Sequence, residues 1–420
     1  MDPLPNLPDA PQARLPELQP ARGIRVVPLR VVRPRLRAPD RRGRPRPDAG
    51  SAQRGRAGSR ARTHAGRPGP RPPDHPVRGR RDRAQPDPAA SDAPAAPAAS
   101  RRGAFDLEGR AAPGLYAAGW GLTIVGLAAL FVGLAAGGGG AGPWLFVAGF
   151  GILAIGLVAA AGAQGLQRAA DGVAGYAGPS PYLVFAAAFL GSFFIVNVVA
   201  VVLDAAGVRI GDQAGVLISS LISGLVSVGL IGLLVVGPGA LRWHDLGFRR
   251  PRPGEGSLVE DVAWGAALAI PAILAAAFLA ALLIAVLGTT PEPTLPPTRD
   301  PFGATWNLLA AVAVAPFWEE LFFRGFATTA WARTAGPRAA IVRAGLFFAL
   351  VHVITVLGSD FSTGLRVALI VFAIRIPVGL LLGWVFLRRR SLAAPIALHA
   401  VYNGIPLVLF LLAGSQVATG

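Results

Sequence analysis

Glu319 and Glu320 stand side by side in the apolar stretch AAVAVAPFWEELFFRGF, with Arg324 one helical turn on. Two later apolar stretches each carry one histidine, His352 and His399. Ionised groups are expensive in lipid and are usually kept for a task. A base, a water and donors for a developing oxyanion are what amide hydrolysis needs, and these five side chains could supply the parts. Glu320 and Arg324 are four apart, so they share a helix face and can pair. Glu319 points about 100° away and stays free for other work. A carboxylate beside a cation and one facing a cavity are set up for different protonation states. Phe348 precedes His352 by four residues; Asn403 follows His399 by four, with Tyr402 adjacent. An imidazole can take a proton, bind a metal or donate a hydrogen bond, and a carboxamide is a neutral donor suited to an oxyanion.

Each element of this set has a plainer reading: a charged cluster snorkelling at a helix end, or a histidine that pins two helices together. Their concentration argues otherwise. After residue 102 every other Asp or Glu falls in a loop or near the end of an apolar run, while the candidates lie within Glu319–Asn403. Arg375, near the middle of another apolar run, admits three readings: a partner for a glutamate, a site for a substrate carboxylate, or a snorkelling group at a kink before Pro377. His64, His75 and His244 fall outside the apolar runs.

The elements that must position these groups are membrane helices. Charged residues make up 15% of the chain against 53% hydrophobic, well below the roughly 25% charged of soluble domains, and the mean hydropathy is +0.50. Apolar runs long enough to cross a bilayer recur, which predicts an all-α, polytopic integral membrane protein of about eight or nine transmembrane helices. Nine candidate spans fall near 115–137, 143–166, 181–203, 214–237, 261–287, 303–323, 338–357, 365–387 and 392–413. The absence of cysteine excludes disulfides, thiol nucleophiles and Cys-ligated zinc.

The net charge of +17 is unevenly placed: residues 1–102 hold 23 Arg against 9 acids, and every basic residue of the chain is Arg. That Arg/Pro/Ala-rich segment has no apolar period and predicts a disordered tail. Residues 103–240 then form N-terminal transmembrane helices, and residues 241–420 a catalytic core. Arginines cluster in alternate loops, at Arg168, Arg242–Arg252, Arg333–Arg338 and Arg388–Arg390. The positive-inside rule places these in the cytoplasm, with the N-terminus inside and the C-terminus outside, in the plasma membrane. A polar cavity among the sixth, seventh and ninth spans, open to the cytoplasm, would bring water to the glutamates.

Three blocks in order resemble the CPBP family of intramembrane proteases, also called the Abi or type II CAAX prenyl protease family. They are E-E-x-x-x-R at Glu319–Arg324, F-x-x-x-H at Phe348–His352 and H-x-x-x-N at His399–Asn403. RRRSLAAPIALHAVYNG and HDLGFRR also resemble family segments, so the likeness covers about residues 240–413. The resemblance implies an endopeptidase acting on a peptide or membrane-protein substrate in the lipid bilayer near its cytoplasmic face, with no specific nucleic acid partner. It implies Glu319 as the base that activates water, assisted by His352; His399 and Asn403 as oxyanion donors; and Glu320 with Arg324 as the pair that holds the geometry. Two views of the metal come with it: a divalent ion such as zinc on Glu319, His352 and His399, or a metal-independent glutamate protease. H-E-x-x-H, the strong zinc signature, is missing. Rival readings are a non-catalytic scaffold or immunity protein and a proton-coupled transporter.

Overall fold

The computed structural model describes Gly103 and residues 106–416, apart from 138–139, 249–255, 299, 355 and 357. The tail expected over 1–102, and Arg249, Arg250 and Arg252, lie outside the described residues. Among the described residues all regular structure is helical: α1 Pro113–Ala135, α2 Gly142–Ala170, α3 Pro181–Ala205, α4 Asp212–Val236, α5 Leu258–Leu287, α6 over 301–335, α7 Pro337–Val351, α8 Phe361–Arg389 and α9 Ala393–Gln416. Proline opens α1, α3, α6 and α7 at their first positions, where its missing N–H has no intrahelical role to lose. Side chains cap two helices that flank the site. Ser257 and Glu260 form a reciprocal capping box at α5. Asp360 accepts from the Ser362 and Thr363 backbone N–H groups at α8 and from the hydroxyls of both residues; the Ser362 hydroxyl first, then the Thr363 N–H and hydroxyl, hold its carboxyl well below the usual carboxylate range.

Among the described residues, seven helices are long and apolar enough to cross a membrane: α1 to α5, α8 and α9. The expected sixth span is α6, where α-helical and π-helical turns alternate. The seventh, expected over 338–357, ends early. α7 has only 15 residues, about 22 Å of helix, and stops one residue before His352. The chain beyond it turns through non-helical backbone at Val353, Ile354 and Val356. Irregular backbone at membrane depth is tolerated where it lines a cavity, and Val356, Gly358 and Ser359 do line one.

Close packing in α1 and α2 comes from glycine. Gly119, Gly126 and Gly133 recur every seven residues on α1, opposite Gly149 and Gly156 on α2. A Cβ at any of the five would fall under 3 Å from backbone of the facing helix. Small residues let membrane helices approach until backbones touch. The core lies elsewhere, around α6: Leu321, Phe322, Phe323 and Phe326 are at most 1% exposed and pack with Phe348, Leu382 and Leu398.

The end of the molecule that carries Arg333, Arg338 and Arg388–Arg390 is stapled shut. The Trp243–Leu246 turn delivers Asp245 to Arg333 at 2.9 Å. Gly247, at φ 95°, accepts the Leu392 N–H while its Cα lies against the Leu392 backbone. Arg389 joins α8 to the start of α5 through Asp261 at 2.7 Å and Glu260 at 3.4 Å. The HDLG segment singled out in the sequence is therefore part of this closure.

Candidate active site

Glu319 and Glu320 sit between two π-helical stretches of α6, Leu309–Val314 and Leu321–Thr328. π turns widen a helix and leave carbonyls for other donors, and they concentrate at functional positions. Thr328 follows the widened register: its hydroxyl donates to the carbonyl of Phe323, five residues back, at 2.8 Å. Pro316 lies just after the first π stretch and has no N–H to give. In π register its partner would have been the Ala311 carbonyl. That carbonyl instead accepts from Asn403 Nδ2 at 2.9 Å. Asn403 thus spends one amide N–H on the backbone of α6, and one remains.

The expected ion pair is present. Arg324 Nη1 donates to Glu320 Oε1 at 2.9 Å, and both side chains are 0% exposed. The same oxygen meets His399 Nδ1 at 2.7 Å. This contact, spanning 79 residues of sequence, was not readable from the motifs, which assigned Glu320 to Arg324 alone. A carboxylate only accepts, so Nδ1 carries the proton and Nε2 faces away from Glu320. His352 is fixed by the same logic: its Nδ1 lies 2.6 Å from the Phe348 carbonyl, so Nδ1–H donates there. Both Nε2 atoms then turn to Glu319, at 3.9 Å for His399 and 4.0 Å for His352. Phe348 is the platform under the assembly. Its ring meets His352 edge-on at 4.5 Å and His399 at 5.6 Å, and carries the Arg324 guanidinium at 4.4 Å, a cation–π distance.

Glu319 Oε2, Glu320 Oε2 and Arg324 Nε are buried with no hydrogen-bond partner in the protein. Buried polar atoms are rarely left so, and gaps near 4 Å between polar groups are where water is expected. A carboxylate oxygen and two imidazole nitrogens are chemically suitable for zinc, but ligands sharing one ion at bonds of about 2.0 Å stand about 3.3 Å apart. The separations here are wider, and among the described residues no group of three His, Cys, Asp or Glu side chains is arranged to hold a metal. Glu319, His352 and His399 do not fit a closed metal site.

Two cavities meet at Glu319. The larger, about 930 Å3, is walled by Ser192, Ser219, Ser223 and Ser227 of α3 and α4 and by the chain after α7. The smaller, about 560 Å3, is mainly apolar and includes His399, Tyr402 and Asn403. Glu319, His352 and Arg375 line both. The Ser219-Ser223-Ser227 repeat of four is a signal that the sequence carried and that motif-based reading passed over. Arg375 points into the cavities, its Nη1 donating only to the Val371 carbonyl of its own helix, at 3.1 Å. The larger cavity runs to Thr289–Thr294 and Ser359–Thr363, the end opposite the arginine-rich loops.

Residues 301–405 match the family described as Type II CAAX prenyl endopeptidase Rce1-like. Over these residues the chain is similar to that family. All three motif blocks fall inside the matched residues. No curated protein and no solved structure matches the chain significantly.

Proposed function

We propose that this protein is an intramembrane endopeptidase that cleaves a peptide or membrane-protein segment with water activated by Glu319. The observation that carries the reading is the half-buried Glu319 carboxylate: its Oε2 is shielded without a hydrogen-bond donor and faces two imidazole Nε2 atoms across a water-sized gap. A water held there gives one proton to Glu319 as its oxygen attacks the carbonyl carbon. Carbonyl electrons move onto the oxygen as the tetrahedral intermediate forms. His399 Nε2, when protonated, and the second N–H of Asn403 are the donors for that oxyanion. Glu320 keeps His399 oriented and balances Arg324. On collapse the C–N bond breaks, and the proton held by Glu319 passes to the leaving amine.

The similarity of residues 301–405 to the Rce1-like family supports this reaction class, and the seven candidate spans support the bilayer as its setting. The loop arginines favour a cytoplasmic N-terminus and a C-terminus outside, and the plasma membrane is the setting we propose. The test compares the membrane peptidomes of cells carrying wild type or Glu319→Gln, each with and without a zinc chelator. Loss of specific cleavages by the variant, at equal membrane abundance, is the expected result. Chelation should leave wild-type cleavage intact; a loss restored by zinc would reinstate the metal reading. Unchanged cleavage by Glu319→Gln would remove that residue from the mechanism and favour a scaffold.

A further inference from the structure

We propose that Arg375 is a substrate-binding residue that recognises a carboxylate of the peptide lying beside Glu319. The proposal rests on the endopeptidase reading for the peptide nature of the ligand, and on separate observations for the site. Arg375 stands at the midpoint of α8, about 21 Å from either end of the helix, too far for its side chain to snorkel to the interface. It is half-buried. Among the described residues no carboxylate forms an ion pair with it: Glu320 is taken by Arg324, and Glu319 faces the two histidines. Of the three roles open to this arginine in the sequence, the snorkelling cation and the partner of a glutamate are thereby removed. A site for a carboxylate from outside the chain is left.

A guanidinium carries five N–H donors. Nη1 gives one to the Val371 carbonyl at 3.1 Å, and among the described residues no other protein acceptor takes any. An ionised group at membrane depth with donors to spare is kept for a task. Arg375 lines both cavities, a position it shares with Glu319, His352 and Thr294, so a peptide that passes Glu319 also passes Arg375. Tyr402 lines the smaller cavity close enough to interact with the guanidinium charge, and its hydroxyl is a further donor for the same ligand. The planar fork of an arginine matches a carboxylate, and such charge-assisted bonds are strong away from bulk water. A lipid phosphate is the wrong ligand. α8 is long and apolar enough to cross a membrane, and headgroups stay about 15 Å from the middle of the hydrocarbon core. The carboxylate is either the end of the substrate chain or an Asp or Glu side chain next to the scissile bond.

The test separates binding from cleavage by using the full chain as Glu319→Gln, immobilised in detergent. The probes are matched libraries of short apolar peptides: one with a free C-terminal carboxylate, one amidated with a single internal Asp, one amidated with Asn in its place, and one amidated with neither. Retained peptides are quantified by mass spectrometry. An acidic library should be retained roughly tenfold or more over its neutral match, about the worth of one charge-assisted pair, and the library that wins tells a chain end from a side chain. Glu319→Gln/Arg375→Gln should lose the preference. Glu319→Gln/Arg375→Lys, which keeps the charge without the fork, should keep only part of it. A merely structural role for Arg375 would weaken retention of every library alike and overturns the proposal. So does equal retention of acidic and neutral peptides by Glu319→Gln, or a preference untouched by Arg375→Gln. If Arg375→Gln does not fold, the lysine variant decides, and an undiminished preference there overturns the proposal. Wild type is then given the same libraries. Carboxylate-dependent retention without any cleavage would remove the endopeptidase reading and leave the site standing. Cleavage of acidic and neutral peptides with equal kcat/KM would overturn the site alone.

Discussion

At the scale of residues, the site is built from charges that cancel in a fixed order. Arg324 neutralises Glu320, Glu320 orients His399, and His399 presents its other nitrogen to Glu319. Removing one member of a fully buried ion pair strands the other, which costs about 3–5 kcal/mol. Arg324→Ala should therefore lower thermal stability in detergent sharply, and Arg324→Ala/Glu320→Ala should recover part of the loss, as read by a melting curve for each variant. Glu320→Gln keeps an acceptor for His399 but gives up the charge; cleavage should fall while substrate binding holds, a split that a kcat against KM comparison would detect. The motifs singled out these residues because carboxylates and imidazoles in apolar sequence are conspicuous. They concealed the Glu320–His399 bond and the Phe348 platform, since contacts between residues far apart in sequence depend on how α6, α7 and α9 pack.

Helices carry the next level of information. The sequence indicated nine apolar runs, and the helices follow them, but not the irregularities on which the site depends. Periodicity does not distinguish an α turn from a π turn, because the difference is one residue of register over a short stretch. It likewise overestimated α7, whose apolar pattern continues past His352 into the chain that lines the cavity. Pro316 was visible in sequence; its consequence was not, because the carbonyl it orphans is satisfied from α9. This pairing makes a sharp prediction. Asn403→Leu removes the donor to Ala311 and should destabilise the protein by about 1–3 kcal/mol. Adding Pro316→Ala restores a backbone N–H at the same place and should recover much of that stability. Cleavage should stay impaired in the double variant if the second amide N–H of Asn403 serves the oxyanion. Full recovery of both would reduce Asn403 to a brace for α6.

Across the whole molecule, the core around α6 and the α1–α2 hairpin are held by different physics. The core interlocks large aromatic side chains around α6, whereas the hairpin adheres through missing ones. A leucine at Gly126 would collide with the α2 backbone at Leu153; it should loosen α1, with increased protease nicking in the connection between α1 and α2, while the geometry around Glu319 on α6 persists. Normal cleavage by Gly126→Leu, alongside that nicking, would verify the separation. The hairpin also poses an alignment problem. Glycines that repeat every seven residues fit equally well after a slide of one repeat, about 10.5 Å along the axis, so the seam itself works like a rack with identical teeth. What selects one tooth must be the short connection between α1 and α2, helped by the bond from the Ala111 N–H to Gln167 at the far end. Lengthening that connection by several residues should let two alignments coexist, a heterogeneity that crosslinks between engineered cysteines on the two helices could count.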